Sequence, residues 1–349
     1  MARGVRILDA MSEVLARRII VIGASAGGIE ALRVLSAALP RDLPAAVCVV
    51  VHTAADAPGI LHRILNDKAG LPVIDVTTGA RLAAGHMYVA PPDYHLIVEP
   101  GILRLTKGPK ENRFRPAVDP LFRSAAQVFG PAAIGVILTG NLDDGTAGLW
   151  AIKQLGGITI VQDPADALYP SMPRSAARHV EVDYLVALPQ IAPLLARLAA
   201  QSPDEGRAVA VPESVEVEVK IASEKNAIEA GVERIGEPSP FACPECHGVL
   251  LRIKGSHPFR LRCHTGHAYS AESLLAAVSE GIEDALWNAV RALEEGGLLL
   301  QHLATHHQDQ GDSVTSQSLA AKAGEAHRQS NTLRQAVSDR QNLATGQPA

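Results

Sequence analysis

The sequence predicts an α/β fold, a doubly wound and mainly parallel sheet, plus a small zinc ribbon and a helical C-terminal tail. Three observations carry that prediction. Over the first 200 residues, short continuous apolar runs alternate with stretches of helical periodicity, as strands buried on both faces by crossover helices require. Three of the four cysteines then fall within residues 243–263, followed by a histidine at 267. From residue 271 onward, apolar residues recur at three- and four-residue steps.

In chain order, "RRIIVIGAS" is a buried strand and "GGIEALRVLSAAL" a helix with Ile29, Leu32, Leu35 and Leu39 on one face. The next strand is "AAVCVVVHT", and a more irregular middle contains Pro91-Pro92. "RPAVDPLFRSAAQVFG" reads as a helix, "AAIGVILTG" as a strand, "GTAGLWAIKQLGG" as a helix and "ITIVQD" as a strand. Residues 201–240 are rich in Pro, Glu, Val and Ala and read as a linker with one short strand in "VEVEVKIA". Leu275, Val278, Ile282, Leu286, Ala289 and Leu293 give the following helix an apolar face as far as Gly296-Gly297. The Gln-, Ser- and Ala-rich end is expected to be partly helical and frayed. The division expected is an N-terminal extension (1–18), a catalytic domain (19–200), a linker (201–240), a ribbon (241–270) and a tail (271–349).

A net charge of −5 over 349 residues, with 47 % hydrophobic and 20 % charged residues, offers no global attraction to nucleic acid or an anionic membrane. No apolar stretch approaches the roughly 18 residues of a membrane span, so neither a nucleic-acid partner nor membrane insertion is expected, and the chain should be cytoplasmic. Cys48 sits in an apolar run as a small core residue, and the other three cysteines do not resemble a secreted disulfide framework.

Reactive groups in parallel sheets gather where strands end. Ser25 follows "IVIGA", His52 follows "VCVVV", and Asp143-Asp144 follow "VILTGNL". Ester or amide hydrolysis at neutral pH needs a nucleophile, an adjacent base and a carboxylate that fixes the base's tautomer, and these residue types supply all three. The order Ser, His, Asp differs from that of α/β-hydrolases, so "GASAG" matches their nucleophile turn without implying their fold. Each residue also has a plainer reading. A serine in a glycine-rich strand–helix turn is often structural or phosphate-facing, although a dinucleotide site would want an acidic residue where His52 stands. His62, His86 and His95 are rivals for the base, and Asp143-Asp144-Gly145 also suits a turn and helix cap.

Together, "VIGASAGGIEAL", the strand-end histidine, "HMYVAPPDYHLIV", "RPAVDPLFRSAA", "ILTGNLDDGTAGLWAIKQLGGITIVQD" and "YPSMPRSAA" resemble, in order, the catalytic domain of CheB-type chemotaxis protein-glutamate methylesterases over about residues 19–197. The resemblance implies Ser25 as nucleophile, His52 as general base and Asp144 as orienting carboxylate, with Asp143 at a variable position. It implies removal of methyl esters from glutamyl side chains of a chemoreceptor or related signalling protein, with glutamine deamidation as an allied activity and no cofactor for catalysis. Oxyanion donors are expected near Ala26 and in the Thr139–Asn141 turn; this family typically has threonine and methionine where this chain has Ala26 and Asn141. Those two departures support an alternative, a weak or inactive scaffold in a signalling complex. With about 18 residues before the first strand, no receiver domain is expected.

The C-x2-C pair Cys243 and Cys246, with Cys263 and a following histidine, has the spacing of a tetrahedral zinc site. His247, His257 and His264 are nearby alternatives, and resemblance to ribbons of the form R-C-x-x-G-H-A-Y-S, appended to some CheB-like proteins, favours His267. Four filled protein positions leave none for a substrate water, so the zinc is expected to be structural and the triad independent of it.

Overall fold

The computed structural model describes residues 16–204, 206 and 208–345; most of the expected N-terminal extension lies outside the described residues. A first compact unit runs to Leu274 and a second begins at Leu275. In order, the first contains β1 (Ile19–Ala24), α1 (Gly28–Ala38), β2 (Ala46–Val51), α2 (Leu61–Asn66), β3 (Val73–Asp75), β4 (Ala80–Arg81), β5 (Met87–Val89), β6 (His95–Glu99), β7 (Ile102–Thr106), α3 (Val118–Phe129), β8 (Ala133–Ile137), α4 (Thr146–Gln154), β9 (Ile158–Gln162), α5 (Ser171–His179), β10 (Tyr184–Val186) and α6 (Leu188–Ala199). After these come α7 (Glu213–Ala222), two single turns α8 (Ala227–Ala230) and α9 (Val232–Ile235), and strands β11 (Gly236–Ala242), β12 (Val249–Ile253), β13 (Arg260–Cys263) and β14 (Ala268–Ser270).

Seven strands form one sheet in the order β10-β9-β8-β1-β2-β5-β3, with every pairing parallel. Alternate residues of β1 serve opposite faces. Ile19 and Val21 join Leu121 and Phe122 of α3 and Leu149 and Ile152 of α4. Ile20 and Ile22 join Leu32 and Leu35 of α1 and Leu195 of α6. Burial on both faces is why these strands read as unbroken apolar runs. The chain leaves β1 towards β2 on one side and β8 towards β9 on the other, so the order reverses between β1 and β8, where parallel sheets open their ligand crevice. Register then sets the site: Ala24 pairs with Val51 and Gly23 with Ile137, which puts Ser25 level with His52 and Thr139.

The segment expected to be a linker is folded. "VEVEVKIA" is helix α7 and not a strand. Its period-2 alternation suggests exposed glutamates, but Glu218 is buried and faces inward beside Val215, Ile221 and Ala222 because arginines pair with it there. Val217 and Ile221 build a small core with Ala227, Ala230, Val232, Ile235 and Ile253, underneath an antiparallel sheet β11-β12-β13-β14.

α10 (Ala271–Asp309) passes through Gly296-Gly297 without ending there, and α11 (Ser313–Thr345) follows. Within the second unit they form an antiparallel hairpin, in which Glu294 accepts from Ser330 and Arg334 and the Arg334 guanidinium lies 5.6 Å from the Trp287 ring.

Candidate active site

Between β1 and α1 the chain turns sharply, with Gly27 at φ 71°, a left-handed conformation that costs glycine little. This turn lifts Ser25 clear of the strand end. Gly140, after β8, must also be glycine, because a β-carbon there would collide with the Met172 sulfur and stand 2.9 Å from Ser25 Cβ. His52 Nδ1 lies 3.1 Å from Ser25 Oγ, and His52 Nε2 lies 2.6 Å from Asp144 Oδ2. An Nε2–H tautomer, selected by an ionised Asp144, leaves Nδ1 as the acceptor for the serine proton. The ring therefore faces its partners through the opposite nitrogens from the chymotrypsin arrangement. Phe114 stacks on the imidazole with ring centroids 3.7 Å apart and planes at 7°, which holds the ring plane and keeps water from that face.

Asp144 accepts at Oδ2 from Val118 N–H at 2.7 Å, and at Oδ1 from Asn112 Nδ2 at 2.8 Å and Gly145 N–H at 2.9 Å. Burial raises its pKa, but the bonds from His52, Val118 and Asn112 outweigh burial and hold the carboxyl below its ordinary value. Val118 opens α3, so the helix N-terminus also favours the charge. The neighbouring Asp119 goes the other way, raised to about 7 by burial and then by the Asp144 charge. Of these two neighbouring carboxyls, the one facing His52 is the more readily ionised.

The structure brings together Ser25, His52 and Asp144, and leaves the rival histidines elsewhere. His95 is fully buried between Pro109 O and Ala117 N–H, His86 bonds Ala84 O, and His62 stands 3.8 Å from Asp75. In the Thr139–Asn141 turn, Thr139 N–H donates to Gln162 and Gly140 N–H to Tyr169. Among the described residues, the backbone N–H groups of Ala26 and Asn141 have no protein acceptor.

A family model for CheB methylesterase matches residues 20–195. The chain belongs to the CheB methylesterase family. It is 40 % identical over 180 residues to a putative protein-glutamate methylesterase/protein-glutamine glutaminase of Leptospira interrogans, covering 51 % of this chain and 93 % of that protein. It is 41 % identical over 189 residues to protein-glutamate methylesterase/protein-glutamine glutaminase 1 of Xanthomonas euvesicatoria, covering 53 % of this chain and only about half, 52 %, of that relative. The crystal structure of the Thermotoga maritima CheB methylesterase catalytic domain superposes with a TM-score of 0.50 at 34 % identity, covering 52 % of this chain and 98 % of that one. Residues beyond the CheB domain are thus additions to it.

In this CheB-family chain, the Asp143 side chain does not cap α4, the plainer reading of the Asp143-Asp144-Gly145 turn. Its carboxylate accepts from Ser270 Oγ at 2.6 Å, and Gly145 stands at the start of α4. Burial above all, with the nearby charges of Glu272 and Asp144, raises Asp143 to about 7 against the Ser270 bond. The folded chain therefore keeps a proton that the unfolded chain releases near pH 4. This contribution to stability falls as pH rises from about 4 to about 7 and is level above, by at most about 1.4 kcal/mol per pH unit. Asp143→Asn should remove that slope, so that denaturation midpoints of the variant exceed the wild type's by most above pH 7. Equal midpoints across pH 4–8 would show Asp143 to be ionised throughout.

Cys243, Cys246, Cys263 and His267 come together with all four ligand atoms within 4.8 Å of one another, whereas His247, His257 and His264 are not in the cluster. Sγ of Cys246 and Cys263 are 3.6 Å apart, and His267 Nδ1 is 3.7 Å from Cys243 Sγ and 3.6 Å from Cys263 Sγ. A tetrahedron with zinc–sulfur arms of about 2.3 Å has edges of about 3.8 Å, so the donor set and its spacing fit zinc.

Sequence reasoning missed Asn112, Phe114 and Glu111, all just before the "RPAVD" block. Glu111 and Phe114 bridge across a two-residue turn in which Asn112 (φ 49°) and Arg113 (φ 77°) are left-handed. Asparagine tolerates that conformation, which was the one available signal. The strand that carries Cys263 also packs on the CheB domain. Arg262 of β13, fully buried, donates to Glu111 and Glu218, and Arg123 of α3 pairs with Glu111.

Proposed function

We propose that this chain is a protein-glutamate methylesterase acting through Ser25, His52 and Asp144. The observation that carries this reading is the hydrogen-bonded line from Ser25 Oγ through His52 to an ionised, buried Asp144 at the point where the strand order reverses. His52 Nδ1 takes the Ser25 proton as the hydroxyl attacks the γ-carbonyl of a glutamyl methyl ester. The N–H groups of Ala26 and Asn141 are the candidate donors to the oxyanion, each worth roughly 3–4 kcal/mol in hydrolases of this kind. His52 returns the proton to the departing methanol, then activates a water that releases the glutamate carboxylate. With ammonia as leaving group, the same steps deamidate glutamine, the second activity named for the relatives.

The substrate proposed is a methylated chemoreceptor or related signalling protein in the cytoplasm, where cysteines stay reduced for metal binding. No helix among the described residues is long and apolar enough to cross a membrane. The test is methanol release from a methyl-esterified glutamyl protein by the full chain, with mass spectrometry of the regenerated glutamate. Release shows a methylesterase; a folded protein that binds methylated receptor without releasing methanol is the scaffold.

Cys243, Cys246, Cys263 and His267 are proposed to hold one structural zinc, with no position left for a reacting water. Small zinc modules gain apparent binding energies of about 10–16 kcal/mol, comparable to a domain's whole stability. Elemental analysis should find one zinc per chain, lost in Cys246→Ser together with protection of residues near 241–270 from proteolysis. Full protection without metal would remove the structural role.

A further inference from the structure

Asn112 has every side-chain hydrogen-bonding position filled. Its Nδ2 donates to Asp144 Oδ1 at 2.8 Å and to Asp119 Oδ2 at 3.0 Å, while its Oδ1 accepts from Ser270 N–H at 2.9 Å and Ser273 Oγ at 3.0 Å. One end thus holds the triad carboxylate and the other is held by residues just past the metal cluster. The backbone repeats the link. Ala268, directly after the ligand His267, donates to Lys110 O at 3.2 Å and accepts from Asn112 N–H at 2.8 Å, and Cys263 N–H donates to His267 O. Ser270 Oγ reaches Asp143, next to Asp144 in the chain. From metal ligand to triad carboxylate the path is His267, Ala268, Asn112, Asp144, and Asn112 is only 5 % exposed.

We propose that Asn112 is a positioning residue through which the metal-bound ribbon holds Asp144 on His52, so that metal occupancy of the Cys243–Cys246–Cys263–His267 cluster controls the rate of ester hydrolysis. Four ligands fix the turn from Cys263 to His267, which sets where β14 begins. β14 and the residues after it fix the amide of Asn112, and that amide fills Asp144 Oδ1 so that Oδ2 stays on the imidazole. When the metal leaves, β14 loses its anchor and Asp144 one of its donors. The domain covers 93 % of the Leptospira relative, so this dependence belongs to the added ribbon of the present chain. The proposal rests on the methylesterase reading.

The test compares zinc-loaded and chelator-stripped full-length chain under reducing conditions, as wild type and as Asn112→Ala. It follows kcat and KM for methanol release together with the rate at which a fluorophosphonate labels Ser25, normalised to active sites. Stripping wild type should lower kcat and labelling together by roughly 10- to 100-fold with little change in KM, as loss of an outer hydrogen-bonding partner does. Asn112→Ala should show the same loss when loaded, and stripping it should add little, since both changes break one path. Asn112→Gly keeps the left-handed turn and removes the same amide without adding charge, so it should match the alanine variant if that one folds poorly. Equal kcat in loaded and stripped wild type, or losses that multiply in stripped Asn112→Ala, would overturn the proposal while the esterase reading stands. A loaded wild type that neither labels nor releases methanol overturns both.

Discussion

Ser25→Ala is expected to reduce methanol release by about 10^4- to 10^6-fold while leaving the thermal unfolding curve in place, the loss seen when the nucleophile of a hydrolytic triad is removed. Ser25 is partly exposed on a turn built by Gly27, so truncating its hydroxyl opens no core cavity. His52→Ala should fall to the same floor, because the two act as one unit and their losses do not add. Asp144→Asn should cost about 10^4-fold, since an amide cannot be relied on to select the Nε2–H tautomer. Asp143→Asn should cost far less, because its carboxylate faces Ser270 and not the imidazole. Steady-state rates with one methyl-esterified protein check all four, and a greater sensitivity at position 143 than at 144 would reverse the assignment.

Arg262→Ala should lower stability by about 3–5 kcal/mol, on the order of 10 °C in Tm. Arg262 donates to Glu111 at 2.8 Å, Glu218 at 2.9 Å and Gly266 O at 2.7 Å, and Arg260 adds two bonds of 2.8 Å to Glu218. Burial opposes ionisation of Glu218, but Arg260, Arg123 and Arg262 hold its carboxyl well below the usual range. Removing one arginine leaves two buried carboxylates undercompensated, the costly case for a buried ion network. The exposed pair Arg252–Glu237 on β12 and β11 is the control, where Arg252→Ala should change stability by about 0–1 kcal/mol. Calorimetry of the two variants separates these outcomes, and similar small losses would show the network adds nothing to ribbon docking.

What was legible in the sequence has a local cause. Four strands of the parallel sheet, β1, β2, β8 and β9, were visible because residues such as Ile19 to Ile22 are apolar on both faces, and Ser25 and His52 stood out because each directly follows such a run, whereas Asp144, in the loop after β8, was singled out from Asp143 by the family resemblance. The cluster of Cys243, Cys246 and Cys263 was visible because metal ligands sit at short, fixed spacings, and the ribbon resemblance picked His267 from the nearby histidines. α7 was not, because a buried Glu218 makes a helix look like an alternating strand. Glu111 and Arg262 meet across 151 residues, and Asn112 and Ser270 across 158, contacts that leave no periodicity in either segment. The contacts between the triad's surroundings and the ribbon were therefore out of reach until both ends were placed.

The central claim is that Ser25 is an activated nucleophile, and active-site labelling tests it most directly. The folded, metal-loaded chain is incubated with a fluorophosphonate near neutral pH and the adduct is located by peptide mass spectrometry. A single adduct on Ser25, absent in Ser25→Ala and slowed by orders of magnitude in His52→Ala, is the result predicted. A folded protein with no adduct, or an adduct on another serine that survives Ser25→Ala, would contradict it.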